Sequence, residues 1–172
     1  MISFQHSAVV WALLFSGAAI AQNTLDNPDW VEEKEPPAPA YSPARVLPLE
    51  MPNFVTVKVG IDPNTIYVGG DGIVRYVVVM TNSTGTSNAA YEGIRCLTGE
   101  VKTYARAGSN GVWSPLSAPV WRDVMDNIGS HHARMFARQA ACDSRLAVNK
   151  PDIIRALQAG KKPGSFKGDN PA

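Results

Sequence analysis

At 172 residues the chain has room for one domain with its own core, and a net charge of +1 argues against a general nucleic-acid or polyanion binder. The charge is unevenly spread, with six acidic and two basic groups over residues 22–57 and eleven basic against five acidic over residues 101–172. Two cysteines, Cys96 and Cys142, are too few for a structural zinc site and too far apart for a Cys-x-x-Cys redox pair.

Ser7 to Ile20 is an apolar run, short for a bilayer span, and it ends in the small-x-small triplet Ala19-Ile20-Ala21. Residues 1–21 are therefore expected to be a signal peptide cleaved after Ala21, although no Lys or Arg precedes the run. No cysteine follows that would carry a lipid, and no later segment is apolar enough to be a transmembrane span after cleavage. Residues 22–52 are rich in Pro, Ala and acid and should be extended, with Trp30 and Tyr41 anchoring them to the domain. Such a segment is a spacer from the export site or a docking segment for a partner.

The domain itself is expected over residues 53–148. Phe54–Val59 alternates as a first strand, and Ile61-Asp62-Pro63-Asn64 turns it. Gly69-Gly70-Asp71-Gly72 is turn chemistry that pairs Thr65–Val68 back onto Ile73–Met80. Ile73–Met80 is apolar at both parities, the mark of a central strand covered on both faces. Thr81–Asn88 reads as a polar loop whose Asn82-Ser83-Thr84 is a glycosylation acceptor or simply a turn.

Thr98-Gly99 separates the strands Ala90–Cys96 and Val101–Arg106, and a two-residue loop would set Cys96 opposite Val101, Ile94 opposite Thr103 and Gly93 opposite Tyr104. One face then carries Ile94, Cys96, Val101 and Ala105 toward the core. The other carries Tyr91, Arg95, Lys102, Tyr104 and Arg106, a wet, basic and aromatic surface that could hold an anionic or sugar ligand or be an ordinary half-wet sheet face. Tyr104 is expected to cover the gap left by Gly93. Trp113 and Trp121 should close one end of the core, each needing a partner for its indole N–H, or else stack on carbohydrate.

Ser130 can cap a helix reaching about Ala147, with His132, Met135, Phe136, Gln139, Cys142 and Leu146 on its inner face and Arg134, Arg138 and Arg145 outside. Cys142 then points at Cys96 on the sheet, and a disulfide closing about 47 residues would stabilise the fold by roughly 4 kcal/mol in the chain-entropy model. Two buried free thiols are the alternative. Residues 149–172 should form a short helix, opened at Pro151 and ended at Gly160, followed by a disordered basic tail.

Catalytic constellations are scarce: no catalytic residue, metal ligand set or cofactor motif stands out. His131 and His132 diverge by about 100° on a helix and cannot share one metal. Glu92 should face the core side, where a charge needs a partner, and Arg75 is the natural candidate for a structural pair. The competing reading makes Glu92 an acid-base group working with His131 or His132.

Read together, Gly70-Asp71-Gly72-Ile73-Val74-Arg75-Tyr76, Tyr91-Glu92-Gly93-Ile94-Arg95-Cys96, Thr98-Gly99-Glu100 and Trp113-Ser114 resemble the CNP-one-like family of small exported proteins from Gram-negative bacteria. The resemblance covers about Asp29 to Arg145 and implies a periplasmic or envelope setting and one domain. It carries no catalytic or binding residue onto this chain.

The expected architecture is α+β, a mostly antiparallel sheet of about five strands packed by one C-terminal helix and stapled by Cys96–Cys142. A β-sandwich with the helix as an appendage is the alternative. The expected function is a non-catalytic binding or structural domain of the envelope, its partner an envelope protein or a small anionic ligand. A periplasmic hydrolase using Glu92 with His131 or His132 is the second reading.

Overall fold

The computed structural model describes residues 27, 29–126 and 131–160. The signal peptide with its cleavage after Ala21, the Ser130 cap and the basic tail beyond Gly160 lie outside the described residues. Eight strands make one antiparallel sheet: β1 (Leu47–Pro48), β2 (Lys58–Ile61), β3 (Tyr67–Val68), β4 (Ile73–Thr81), β5 (Ser87–Arg95), β6 (Glu100–Ala107), β7 (Trp113–Pro115) and β8 (Arg122–Asp123). The order is β1-β2-β4-β5-β6-β7, with β3 paired to β4 and β8 to β6. The expectation of about five strands was low because β1, β7 and β8 are two- or three-residue pieces, too short to show any periodicity.

β4 is the spine. Every residue from Ile73 to Val79 is buried, as apolar character at both parities requires. The first hairpin forms as expected, with Tyr67 opposite Arg75 and Val68 opposite Val74. Its turn closes where Gly72, at φ +77°, donates its N–H to the Gly69 carbonyl at 3.1 Å. The polar loop before β5 is a tight turn, in which the Asn82 side chain accepts from the Thr84 and Thr86 amides at 3.0 and 2.9 Å.

The second hairpin differs from the two-residue loop expected. Arg95 pairs with Glu100 and Ile94 with Val101, so Cys96–Gly99 is a four-residue loop with Gly99 at φ +70° donating to the Arg95 carbonyl at 2.9 Å. Farther along, Glu92 pairs with Thr103 but Tyr91 with Ala105, leaving Tyr104 as an extra residue on β6. This bulge reverses the parity of everything beyond it. Ala105 turns away from the expected core face, and Arg106 leaves the face it was expected to share with Lys102 and Tyr104. Tyr104 does cover Gly93: a Cβ on Gly93 would lie 2.7 Å from its hydroxyl oxygen and 2.8 Å from Ile73 Cγ2.

Two helices cover one face of the sheet, where one had been expected to do so. α1 (His131–Phe136) widens into a π turn over Ala137–Ala141, and the helix stops there rather than at Ala147. Gln139 in the π turn grips the backbone of Glu50, its Nε2 donating to the carbonyl at 2.7 Å and its Oε1 accepting from the amide at 3.1 Å. At Cys142 the chain becomes extended and folds into a small hairpin of β9 (Cys142–Asp143) and β10 (Leu146–Ala147), with Ser144 at φ +54° in the turn. Leu146, expected inside, is therefore 69% exposed. α2 (Lys150–Gln158) starts at an Asn149 cap with Pro151 in its first turn, and it buries Ile153 and Leu157 in the same core as Met135 and Phe136. Cys96 and Cys142 are joined, their Cα atoms 5.6 Å apart.

The other face is not open, and its cover is not a second sheet. Residues 29–46 run across it as a strap, with Ala38, Tyr41 and Val46 packed on Val77, Val79, Tyr91 and Tyr104. Trp30 and Tyr41 are anchors, as expected. The Trp30 indole N–H donates to the Asp71 carbonyl at 2.9 Å, and Tyr41 packs on Trp113 with ring centroids 5.2 Å apart. Trp113 donates to the Pro39 carbonyl at 3.0 Å and Trp121 to Glu32 at 3.2 Å, so each indole has the partner it needs.

Two outcomes follow from these ties. Reducing the disulfide, which spans 46 positions, should lower unfolding stability by about 4 kcal/mol in a denaturant titration, since the bridge restricts the unfolded chain. Replacing Glu32 by Ala strands the Tyr104 hydroxyl and the Lys102 amine, and should cost about 2 kcal/mol. Limited proteolysis should then cut the strap while the far-ultraviolet spectrum of the sheet persists.

Candidate functional site

β4, β5 and β6 bring Tyr76, Glu92 and Thr103 into one row, because Tyr76 pairs with Glu92 and Glu92 with Thr103. The row faces α1, and His132 reaches down onto it. Glu92 accepts from the Tyr76 hydroxyl at 2.8 Å and the Thr103 hydroxyl at 3.1 Å, and its Oε2 lies 2.9 Å from His132 Nε2. The Tyr76 ring is held in turn by Phe136, with centroids 4.4 Å apart.

Burial by itself would push the Glu92 carboxyl up. The His132 charge and the hydrogen bonds from His132, Tyr76 and Thr103 outweigh it and hold the group below its ordinary 4.5. Burial would likewise lower His132, but Glu92 overrides both that and the nearby Arg106, and the imidazole is raised above its ordinary 6.5. The two groups therefore form an ion pair. Glu92 has both oxygens engaged and is no free base, and His132 lines the cleft beside it.

That cleft, about 320 Å³ in volume, lies over Glu92, Thr103 and His132. Met80, Val101, Leu116 and Val120 supply apolar wall, and Arg106, Arg122 and Asp126 supply charge. Arg122 is brought in by β8, which pairs it with Val101.

The sequence-derived site residues divide between two places. Tyr91 and Tyr104 are 2% and 1% exposed beneath the strap, so the wet face expected there is a buried one. Burial pushes the Tyr91 phenol up to about 12. Arg95 stacks on the Trp30 ring with its guanidinium carbon 3.7 Å from the centroid, and Lys102 pairs with Glu32 at 2.7 Å. Arg106 alone of the five lines the cleft. His131 packs edge-on against Phe54 at 5.3 Å, while His132 takes Glu92.

The expected Glu92–Arg75 pair does not form. Arg75 sits opposite Gly93, one residue out of phase with Glu92, so the two side chains leave the sheet on opposite faces. Arg75 is instead fully buried against Asp71, at 2.7 Å, and the Glu33 carbonyl, at 3.3 Å. Burial opposes both charges of this second pair, but their mutual hydrogen bond wins and keeps Asp71 below its ordinary range. Tyr76 and Thr103 were missed in the sequence because their roles exist only once the register is known. Glu32 was missed because its partners lie 70 or more positions away.

The raised His132 contributes stability in full below 6.5 and loses it as pH rises through its higher folded value. The lowered Glu92 contributes in full above 4.5 and loses it as pH falls through its lower folded value. The stability difference between the native protein and His132→Ala should therefore be greatest between 4.5 and 6.5, about 3 kcal/mol, and shrink on both sides in denaturant titrations across pH. A flat difference would show that the two groups do not titrate as a pair.

Residues 25–158 match the model of the CNP1-like family. No curated protein and no solved structure matches the chain.

Proposed function

The chain belongs to the CNP1-like family, and we propose that it is an exported protein of the cell envelope that binds a small ligand without transforming it. The observation that carries this reading is the cleft over the Glu92–His132 pair, whose floor is polar, buried and held in place by Tyr76 and Thr103. A floor with its hydrogen bonds already made is rigid, and a concave site with a few fixed polar groups suits recognition. The small-ligand reading moves from the strapped face to this cleft, taking Arg106 with it. Export is supported by the apolar leader ending in Ala19-Ile20-Ala21 and by a disulfide, which persists in oxidising compartments.

One observation favours a hydrolase instead. A histidine and a carboxylate 2.9 Å apart in a shared cleft are the parts of an acid-base pair. Against it, Glu92 is spent on three donors, and among the described residues the cleft lining includes no serine or cysteine to act as a nucleophile.

Native mass spectrometry of protein recovered from the periplasmic fraction tests both readings. The mature chain should begin at Gln22 and carry a bound small molecule. That adduct should be lost in Ala118→Trp, which fills the exposed edge of the cleft without touching the core. An uncleaved chain would overturn export, and an adduct retained by Ala118→Trp would overturn the cleft. Turnover of nitrophenyl esters or phosphates that disappears in His132→Ala would favour the hydrolase.

A further inference from the structure

We infer that the cleft selects a small organic anion, a carboxylate or phosphate head on a short apolar body, and that one of its two arginines, Arg106 or Arg122, recognises the head while the apolar wall takes the body. The inference rests on the cleft being a ligand site, and it follows from a count of its charges. Glu92 is the carboxylate at the floor, and its charge is already matched by His132 and softened by the Tyr76 and Thr103 hydroxyls. It presents no unmet negative charge to a ligand. Arg106 and Arg122 are exposed, line the same cleft, and make no ion pair among the described residues. Asp126 is the remaining carboxylate of the lining, one negative charge against two guanidinium groups, so the cationic groups are in excess.

The placement of these cations is specific to the fold. Arg106 faces the cleft only because the bulge at Tyr104 reverses the parity of β6. It lines the same cleft as His132 and Glu92. Arg122 enters opposite Val101, five positions before Arg106 on β6, or roughly 17 Å along an extended strand. The apolar side chains of Val101, Leu116 and Val120 line the same cleft. A guanidinium offers a planar fork that matches carboxylate and phosphate oxygens two at a time. Cations over a greasy wall therefore fit an anion with an apolar body better than a sugar or a bare inorganic ion.

Three eight-carbon probes separate the contributions, namely octanoate, octyl phosphate and 1-octanol, titrated into the full mature protein and followed by amide chemical shifts. Octanoate, octyl phosphate or both should bind at least about tenfold more tightly than 1-octanol, and Arg106→Gln or Arg122→Gln should remove about that factor. The preference between the two anions distinguishes a carboxylate source from a phosphate one. Equal binding of all three probes, or anion binding unchanged in both variants, would overturn anion selection while leaving a ligand cleft in place. Probe binding unaffected by Ala118→Trp would instead overturn the cleft itself. No shift with any probe overturns the inferred ligand class, and the adduct measurement on the recovered protein then decides the cleft independently.

Discussion

A strand without a wet face imposes the plan of this molecule. Ile73–Val79 is buried throughout, so the sheet around it needs cover on both sides. The chain supplies two unlike layers. One is helical, from α1 through its π turn to α2, and it is fastened to the sheet by Cys96–Cys142 and by the Gln139 grip on Glu50. The other is an irregular strap with few apolar side chains of its own, and it relies on polar ties. Glu32 gathers Lys102, Tyr104 and Trp121, and Trp30 lies beneath Arg95.

Burying both faces of the central strands forces polar residues inside, and each is met by a specific partner. Arg75 leaves β4 on the strap side and finds Asp71; Glu92 leaves β5 on the helix side and finds His132. The pairs are kept apart by the sheet itself, because Arg75 and Glu92 are one residue out of phase in the β4–β5 register. The Glu92 pair borders the cleft. Losing either partner of such a buried pair strands a charge, which costs more than the intact pair adds over an apolar replacement.

The bulge on β6 links architecture to the site. Without the extra residue, Arg106 would lie on the strap side with Lys102 and Tyr104, and the cleft would lose a cation. Tyr104 itself stays under the strap, where it fills the space over Gly93. One added residue thus divides a continuous basic strand between a structural face and a candidate binding face.

Local patterns in the sequence were enough for the buried character of β4, the first hairpin, the short α2 opened near Pro151, the Trp30 and Tyr41 anchors and the pairing of the two cysteines. Most follow from the spacing of apolar or turn residues within a short window; the cysteines do pair, although Cys96 lies in the loop rather than on the strand and Cys142 just past the helix rather than on its inner face. The tertiary structure alone decided the four-residue loop, the bulge, the end of the helix at Ala141 and the choice of His132 for Glu92. These depend on partners distant in the chain: a carboxylate at Glu32 answering a lysine at Lys102, a backbone at Glu50 answering Gln139. Periodicity says which way a side chain points relative to its neighbours. Only packing says what stands opposite, and here a single inserted residue was enough to reverse the answer.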